Sequence, residues 1–301
     1  CQLLVKRIRD SWAPDTLSEK SLVTHMTLLT DISDYGSRVL DHKLALWASH
    51  EAIRLGTIIE NRWQWLSTMH TCYANACSTF ALEGQRQEML QSARGCAERL
   101  SAVLDKAGSV STYCDASQYY FTLAETLVGA EEYVLADSII EQAMNRQVFE
   151  RAEQSGIETI SLYHALFDYY RASVILHKGN VDEAEALAES SLSVLESLED
   201  GADMVTFLRP AFLAQLALSR KQFSEALSQS QAAVAVCKDL YASSGDAWDA
   251  DQLCKYYLLL AEVQQAAGKK SDARKTLKEA QKVSVFESNR QQVAQMIKRM
   301  N

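Results

Sequence analysis

Proline is almost missing from this chain, at 2 in 301 residues, where about 5% is usual. Glycine contributes only 11. Sandwiches and barrels turn every few residues on Gly and Pro, so an all-β fold is excluded. Collagen-like and linker-rich chains fall with it. No apolar run reaches the ~18 residues of a membrane span, so no membrane association is expected. The opening CQLLVKRIRDSW also lacks a signal peptide's long apolar stretch and small-residue cleavage site. There is no P-loop, GxGxxG, GxSxG, HExxH or paired CxxC, and no Gly-rich segment that could cradle a phosphate. These absences predict a protein that is not an enzyme, with no catalytic residue, no cofactor and no metal.

What is present favours long helices. The residues are 48% hydrophobic and 23% charged, enough apolar surface for a large core. The formal charge of −9 argues against a nucleic-acid partner, whose phosphates need a basic surface. The charge is uneven, since nine Lys/Arg stand against three Asp/Glu from Lys269 to Asn301. A solvated helix surface is the expected reading of that end; docking to an acidic partner is the sharper one.

Seven cysteines (Cys1, Cys72, Cys77, Cys96, Cys114, Cys237 and Cys254) make an odd number whose spacing fits no disulfide framework. Free buried thiols in a reducing, intracellular compartment, cytoplasmic or nuclear, are expected. Opening on Cys1 rather than Met suggests a piece of a longer protein. His70, Cys72 and Cys77, with Cys96 in the next helix, are the nearest approach to a zinc set. On a helix Cys72 and Cys77 sit well off one face, whereas structural zinc ligands pair two to four residues apart on a turn. Core packing is predicted instead. A His70–Cys72 dyad fails for the same reason, because helical residues two apart face away from each other. His164 and His177 fall at opposite ends of one helix and cannot share a metal.

The strongest pattern is internal. Ala124, Ala136 and Ala143 are spaced by 12 and then 7 residues, and so are Ala172, Ala184 and Ser191. The same spacing recurs at Ala214, Ala226 and Ala233, at Ala261, Ala273 and Ala280, and more weakly at Cys77, Met89 and Cys96. Small residues where helices cross let their axes approach to about 8–10 Å. With Tyr133 and Phe223 ahead of the second helix, and Gly179 and Gly268 in the inter-helix turn, the pattern resembles the tetratricopeptide repeat. Val181 and Lys270 depart from the aromatic position. The copies recur every 42–48 residues rather than the family's 34. The helices are correspondingly longer, as in the superhelical regions of separase, anaphase-promoting-complex subunits, the cohesin-loader scaffold and bacterial sensor regulators. The resemblance covers about 66–283 and implies an all-α, right-handed superhelical solenoid of about six antiparallel helix pairs. Residues 1–65 would hold N-terminal helices with the register lost, 66–287 the repeats, and 288–301 a C-terminal capping helix.

Helix starts are expected at Asp115–Gln118, Asn180, Ser271 and Ser288–Gln291, the first and last with capping-box spacing. Pro210 is expected near a helix start, where proline is tolerated. Upstream, Leu17–Leu29, Ser37–Glu60 and Arg62–Leu82 read as helices, with Trp63 and Trp65 flanking a start, for twelve or thirteen helices in all. Val293, Met296, Ile297 and Met300 form one apolar stripe, which would bury itself on the Ala273–Ala280 helix.

A solenoid implies a protein or peptide partner along its groove. The positions matching the family's groove are Phe121 and Glu125, Tyr169 and Ser173, Ala211 and Gln215, Leu258 and Glu262. They offer no basic pair, so the carboxylate clamp of chaperone-binding relatives is not expected. Phe121, Glu125, Tyr169, Ser173, Gln215 and Glu262 are the partner-binding candidates. The function expected is a protein–protein interaction scaffold, probed against the alternative of a ligand-sensing or inhibitor-binding module that regulates a catalytic domain elsewhere in the parent chain.

Overall fold

The computed structural model describes residues 18–63 and 69–300. Among them are fourteen helices and no strand. Helix α1 (Glu19–Arg38) pairs with α2 (His42–Trp63), α3 (Met69–Leu82) with α4 (Arg86–Lys106), and α5 (Val110–Gly129) with α6 (Tyr133–Asn145). A short α7 (Val148–Ala152) and a 3-10 turn at Glu153–Ser155 follow. Then α8 (Glu158–His177) pairs with α9 (Val181–Ser197), α10 (Ala202–Ser219) with α11 (Phe223–Ser244), and α12 (Ala247–Ala266) with α13 (Lys270–Val283). Helix α14 (Glu287–Arg299) ends the series. Six antiparallel hairpins stack into a helical solenoid, as the near-absence of proline predicts.

One turn joins the two helices of every hairpin. Leu40, Gly84, Glu131, Gly179, Lys221 and Gly268 all have φ between 58° and 89°, and each lies two residues ahead of the second helix. The residue after each donates its N–H to the carbonyl five positions back, as Asp41 does to Gly36 and Lys269 to Gln264, both at 2.8 Å. This closure satisfies a carbonyl that the helix end would otherwise orphan. Glycine adopts the left-handed conformation freely, whereas Leu40, Glu131 and Lys221 do so against about 1–2 kcal/mol of steric cost.

Counting from that turn residue places the small side chains in one frame. Seven before it stand Ser33, Cys77, Ala124, Ala172, Ala214 and Ala261. Five after it stand Ala45, Met89, Ala136, Ala184, Ala226 and Ala273, and twelve after it Ala52, Cys96, Ala143, Ser191, Ala233 and Ala280. None is more than 5% exposed. The register is therefore not lost upstream of the second hairpin. It was hidden because Ser33 stands where later hairpins have Cys or Ala. Its hydroxyl lies 2.6 Å from that of Ser49 and 2.9 Å from that of Thr79, so the buried polar group is satisfied.

Several boundaries differ from expectation. Helix α1 continues to Arg38, and Ser37 lies in its last turn, since a turn on Leu40 carries no Gly or Pro signal. Trp63 ends α2 rather than flanking a start, and Trp65 lies outside the described residues, as do Cys1 and Pro14. Asp115–Gln118 is interior to α5, which is capped instead by Ser109 accepting from the Thr112 N–H at 3.2 Å. Helices α13 and α14 begin at Lys270 and Glu287 without side-chain caps, and Asn180 makes none either; at α9 and α13 the turn that closes one helix already positions the next. Pro210 sits within α10. Its missing N–H leaves the Thr206 carbonyl without a helical donor, yet Leu208, Ala211 and Phe212 around it are buried, and that packing holds the helix through the defect.

Helix α14 does two things. Val293 and Met300, with Met296 and Ile297 half-buried, pack into one core with Ala273, Leu277 and Ala280 of α13, and Arg274 donates to the Met300 carbonyl at 2.9 Å. The same helix also meets the beginning of the solenoid. Gln291 lies so close to Gly84 that a Cβ there would fall 2.7 Å from its amide. Phe286, 2% exposed, faces the His42 ring edge-on at 6.3 Å, and His42 bonds Glu83 at 2.6 Å. The stack of hairpins curls round until its last helix touches its second hairpin.

Candidate functional site

Closure turns the first helices of the hairpins inward around a cavity of about 940 Å³. Six residues before each turn, the frame places Glu125, Ser173, Gln215 and Glu262, and all four line it. Ten before the turn come Tyr169, Ala211 and Leu258, which line it too. Five of the six candidate residues are thus gathered on one surface from four hairpins. Phe121 is the exception. It stacks on Tyr163 with ring centroids 5.5 Å apart, drawn into the contact between α5 and α8 rather than the cavity.

The wall is polar and aromatic together. Tyr170 donates to Glu125 at 3.0 Å, and burial pushes the Glu125 carboxyl above its ordinary range, with the charge of Lys255 opposing. Tyr169 is largely buried and donates to the Leu208 carbonyl at 3.1 Å. Ser173 is satisfied within its own helix, by the Tyr169 carbonyl at 3.3 Å. Tyr133 stacks on His177 with centroids 3.9 Å apart. Glu262 is raised by burial and then by Glu131 across the cavity, with Arg299 opposing.

Sequence reasoning missed the charged knot where α12 meets α14. Asp251 is fully buried. It pairs with Lys255 at 2.7 Å and accepts from the Asn289 amide at 2.9 Å. Burial alone would lower the Lys255 pKa, but Asp251 beside it raises the net value. Trp248, 52% exposed, presents its ring 5.9 Å from the Lys255 ammonium. An Asp and a Lys four apart read in sequence as an ordinary surface pair, so nothing local marks them.

The sulfur and histidine candidates lie elsewhere. Cys72, Cys77 and Cys96 are buried between α3 and α4, and burial pushes the Cys72 and Cys77 thiols up to about 12. Thiols so raised are protonated at neutral pH and pack as small apolar groups. Cys96 donates to the His70 carbonyl at 3.3 Å, and the His70 ring packs edge-on against Tyr119 at 4.8 Å. Among the described residues no group of three His, Cys, Asp or Glu is placed to hold a metal ion, and no helix is long and apolar enough to cross a membrane.

No family model and no curated protein matches the chain. Among solved structures it is similar to BtubC (BKLC) from P. vanneervenii, at 15% identity and a TM-score of 0.47 over 80% of this chain and 90% of that one. It is also similar to the S. pombe nuclear import adaptor Nro1, at 12% identity and a TM-score of 0.37 over 88% of this chain and 94% of that one.

Proposed function

We propose that this chain is a protein-interaction scaffold whose central cavity receives an extended or helical segment of a partner protein. The observation that carries it is the row Glu125, Ser173, Gln215 and Glu262, contributed by four hairpins to one cavity of about 940 Å³. Repeated positions on stacked hairpins suit a ligand that is itself a chain, with side chains spaced along it. The tetratricopeptide-like frame is consistent with that use. Free buried thiols suit a reducing compartment, cytoplasmic or nuclear.

A second reading, a ligand-sensing module regulating a catalytic domain elsewhere in the parent chain, is favoured by the buried Asp251–Lys255–Asn289 knot beside the cavity. Converging polar groups of that kind orient small molecules.

Selection from a random-peptide library, with a photo-crosslinker at Gln215, tests the first reading. Selected peptides should crosslink at that position and be displaced by Gln215→Trp, which fills the cavity. Peptides that crosslink only on the outer surface, or none at all, would overturn it.

A further inference from the structure

We infer that the segment the cavity receives is basic: a partner's extended stretch that brings Lys or Arg side chains to Glu125 and to the Glu131–Glu262 pair. The inference rests on the scaffold reading and names its ligand.

The first argument is sign. Glu125, Glu131, Asp249 and Glu262 face the cavity against Lys255 and Arg299. Lys255 is already held by Asp251 at 2.7 Å. Neither Glu131 nor Glu262 has an ion-pair partner within 4.0 Å among the described residues. The second is the repulsion felt by Glu262. Glu131 pushes the Glu262 carboxyl up, and burial does the same to both Glu262 and Glu125. A cation arriving beside Glu131 and Glu262 adds to the relief that Arg299 gives, and one beside Glu125 offsets its desolvation.

The third is the surface between the carboxylates. The Trp248 ring is half exposed, and Tyr133 and Tyr170 line the same wall. Rings beside carboxylates suit a cation on an apolar stem: the head pairs while the stem or the flat guanidinium lies on the aromatic face. Other occupants fit less well. An acidic segment or a nucleic acid adds like charge to the wall. A wholly apolar segment expels water from carboxylates and gives them nothing in return.

The test uses short fluorescent peptides of alternating glycine with arginine, with its neutral isostere citrulline, or with glutamate, read by anisotropy. The arginine peptide should bind, weaken as salt rises, and lose about tenfold in affinity to the double variant Glu125→Gln, Glu262→Gln. Should the double variant unfold, Glu262→Gln alone serves, since Glu262 lines the cavity and holds no ion pair among the described residues. Citrulline binding as tight as arginine, or arginine binding unchanged by the Gln variants, would overturn the inference. Neutral or acidic library peptides crosslinked at Gln215 would overturn it while leaving the scaffold standing. If no peptide of any sign reaches Gln215, both fall.

Discussion

Ser33 of the first hairpin and Ala261 of the sixth occupy one position of the frame, seven residues before the turn, and both are at most 1% exposed. Around Ser33 the first hairpin builds a hydroxyl cluster with Ser49 and Thr79, set in a core of Leu22, Met26, Leu29, Leu55 and Ile59. The sixth keeps alanine there and carries its polarity elsewhere, in Gln264–Thr276 at 2.8 Å and in Asp251–Asn289. Asp34 and Glu262 make the same contrast one position on. Asp34 pairs with Arg38 at 2.9 Å on the solvent surface, while Glu262 faces the cavity without an ion-pair partner. A shared backbone frame thus leaves each hairpin free to place polar groups where its surroundings ask for them. At these positions the first hairpin spends them on cohesion, and the sixth on the seam and the cavity.

The sharpest way to break this comparison is at the buried acid. Asp251→Ala should destabilise the fold by about 2–3 kcal/mol in chemical denaturation, because Lys255 and Asn289 lose their partner; partial exposure of Lys255 keeps the loss below that of a fully buried pair. Asp34→Ala, with both partners in solvent, should cost under about 0.5 kcal/mol. Equal losses would mean the seam is not formed in solution.

Next come the crossing points. Ala45→Leu and Ala273→Leu, five residues after their turns and fully buried, should each cost about 2 kcal/mol by overpacking. A neutral melting temperature for Ala45→Leu alone would remove the first hairpin from the frame.

The turns give a smaller, opposed pair. Gly268→Ala should lose about 1 kcal/mol, since φ is +77° there and a Cβ meets nothing within 4 Å, so only backbone cost remains. Leu40→Gly should gain a few tenths of a kcal/mol, the relief of strain offset by a looser unfolded chain.

The smallest effect is in pH. The Glu262 pKa is raised on folding above the ordinary 4.5, so its ionised form costs stability at neutral pH. That cost fades as pH falls through the raised value towards 4.5. Glu262→Gln should therefore melt higher than the parent at neutral pH, with the gap narrowing on acidification. A gap that widens in acid would mean Glu262 is stabilised as an anion.

The legible part of the fold was the part written in small residues. Three of them, 12 and 7 apart, at Ala124, Ala136 and Ala143, mark two helices and their crossing without further help. Ser33 broke the pattern because a hydroxyl is small enough for the crossing yet needs partners, and those partners come from α2 and α3. Leu40, Glu131 and Lys221 gave no turn signal because their left-handed conformation is imposed by the hydrogen bonds on either side of them, not by their side chains. Within the cavity, the row from Glu125 to Glu262 was readable because it repeats with the frame. Lys255 and Trp248 were not, because they stand off the repeated row, and Arg299 belongs to the site only because α14 folds back on α12 and α13.

That reach changes how the molecule comes apart. In an open stack of repeats each unit touches only its neighbours, so the ends can fray while the middle stays folded. Here Gln291 rests on Gly84 across most of the length of the chain. A contact so distant in sequence forms late, because a long loop must close first, and it raises contact order and slows folding. Once made, it ties the sixth hairpin's fate to the second's, so the array should melt as a single cooperative body rather than fray from its ends.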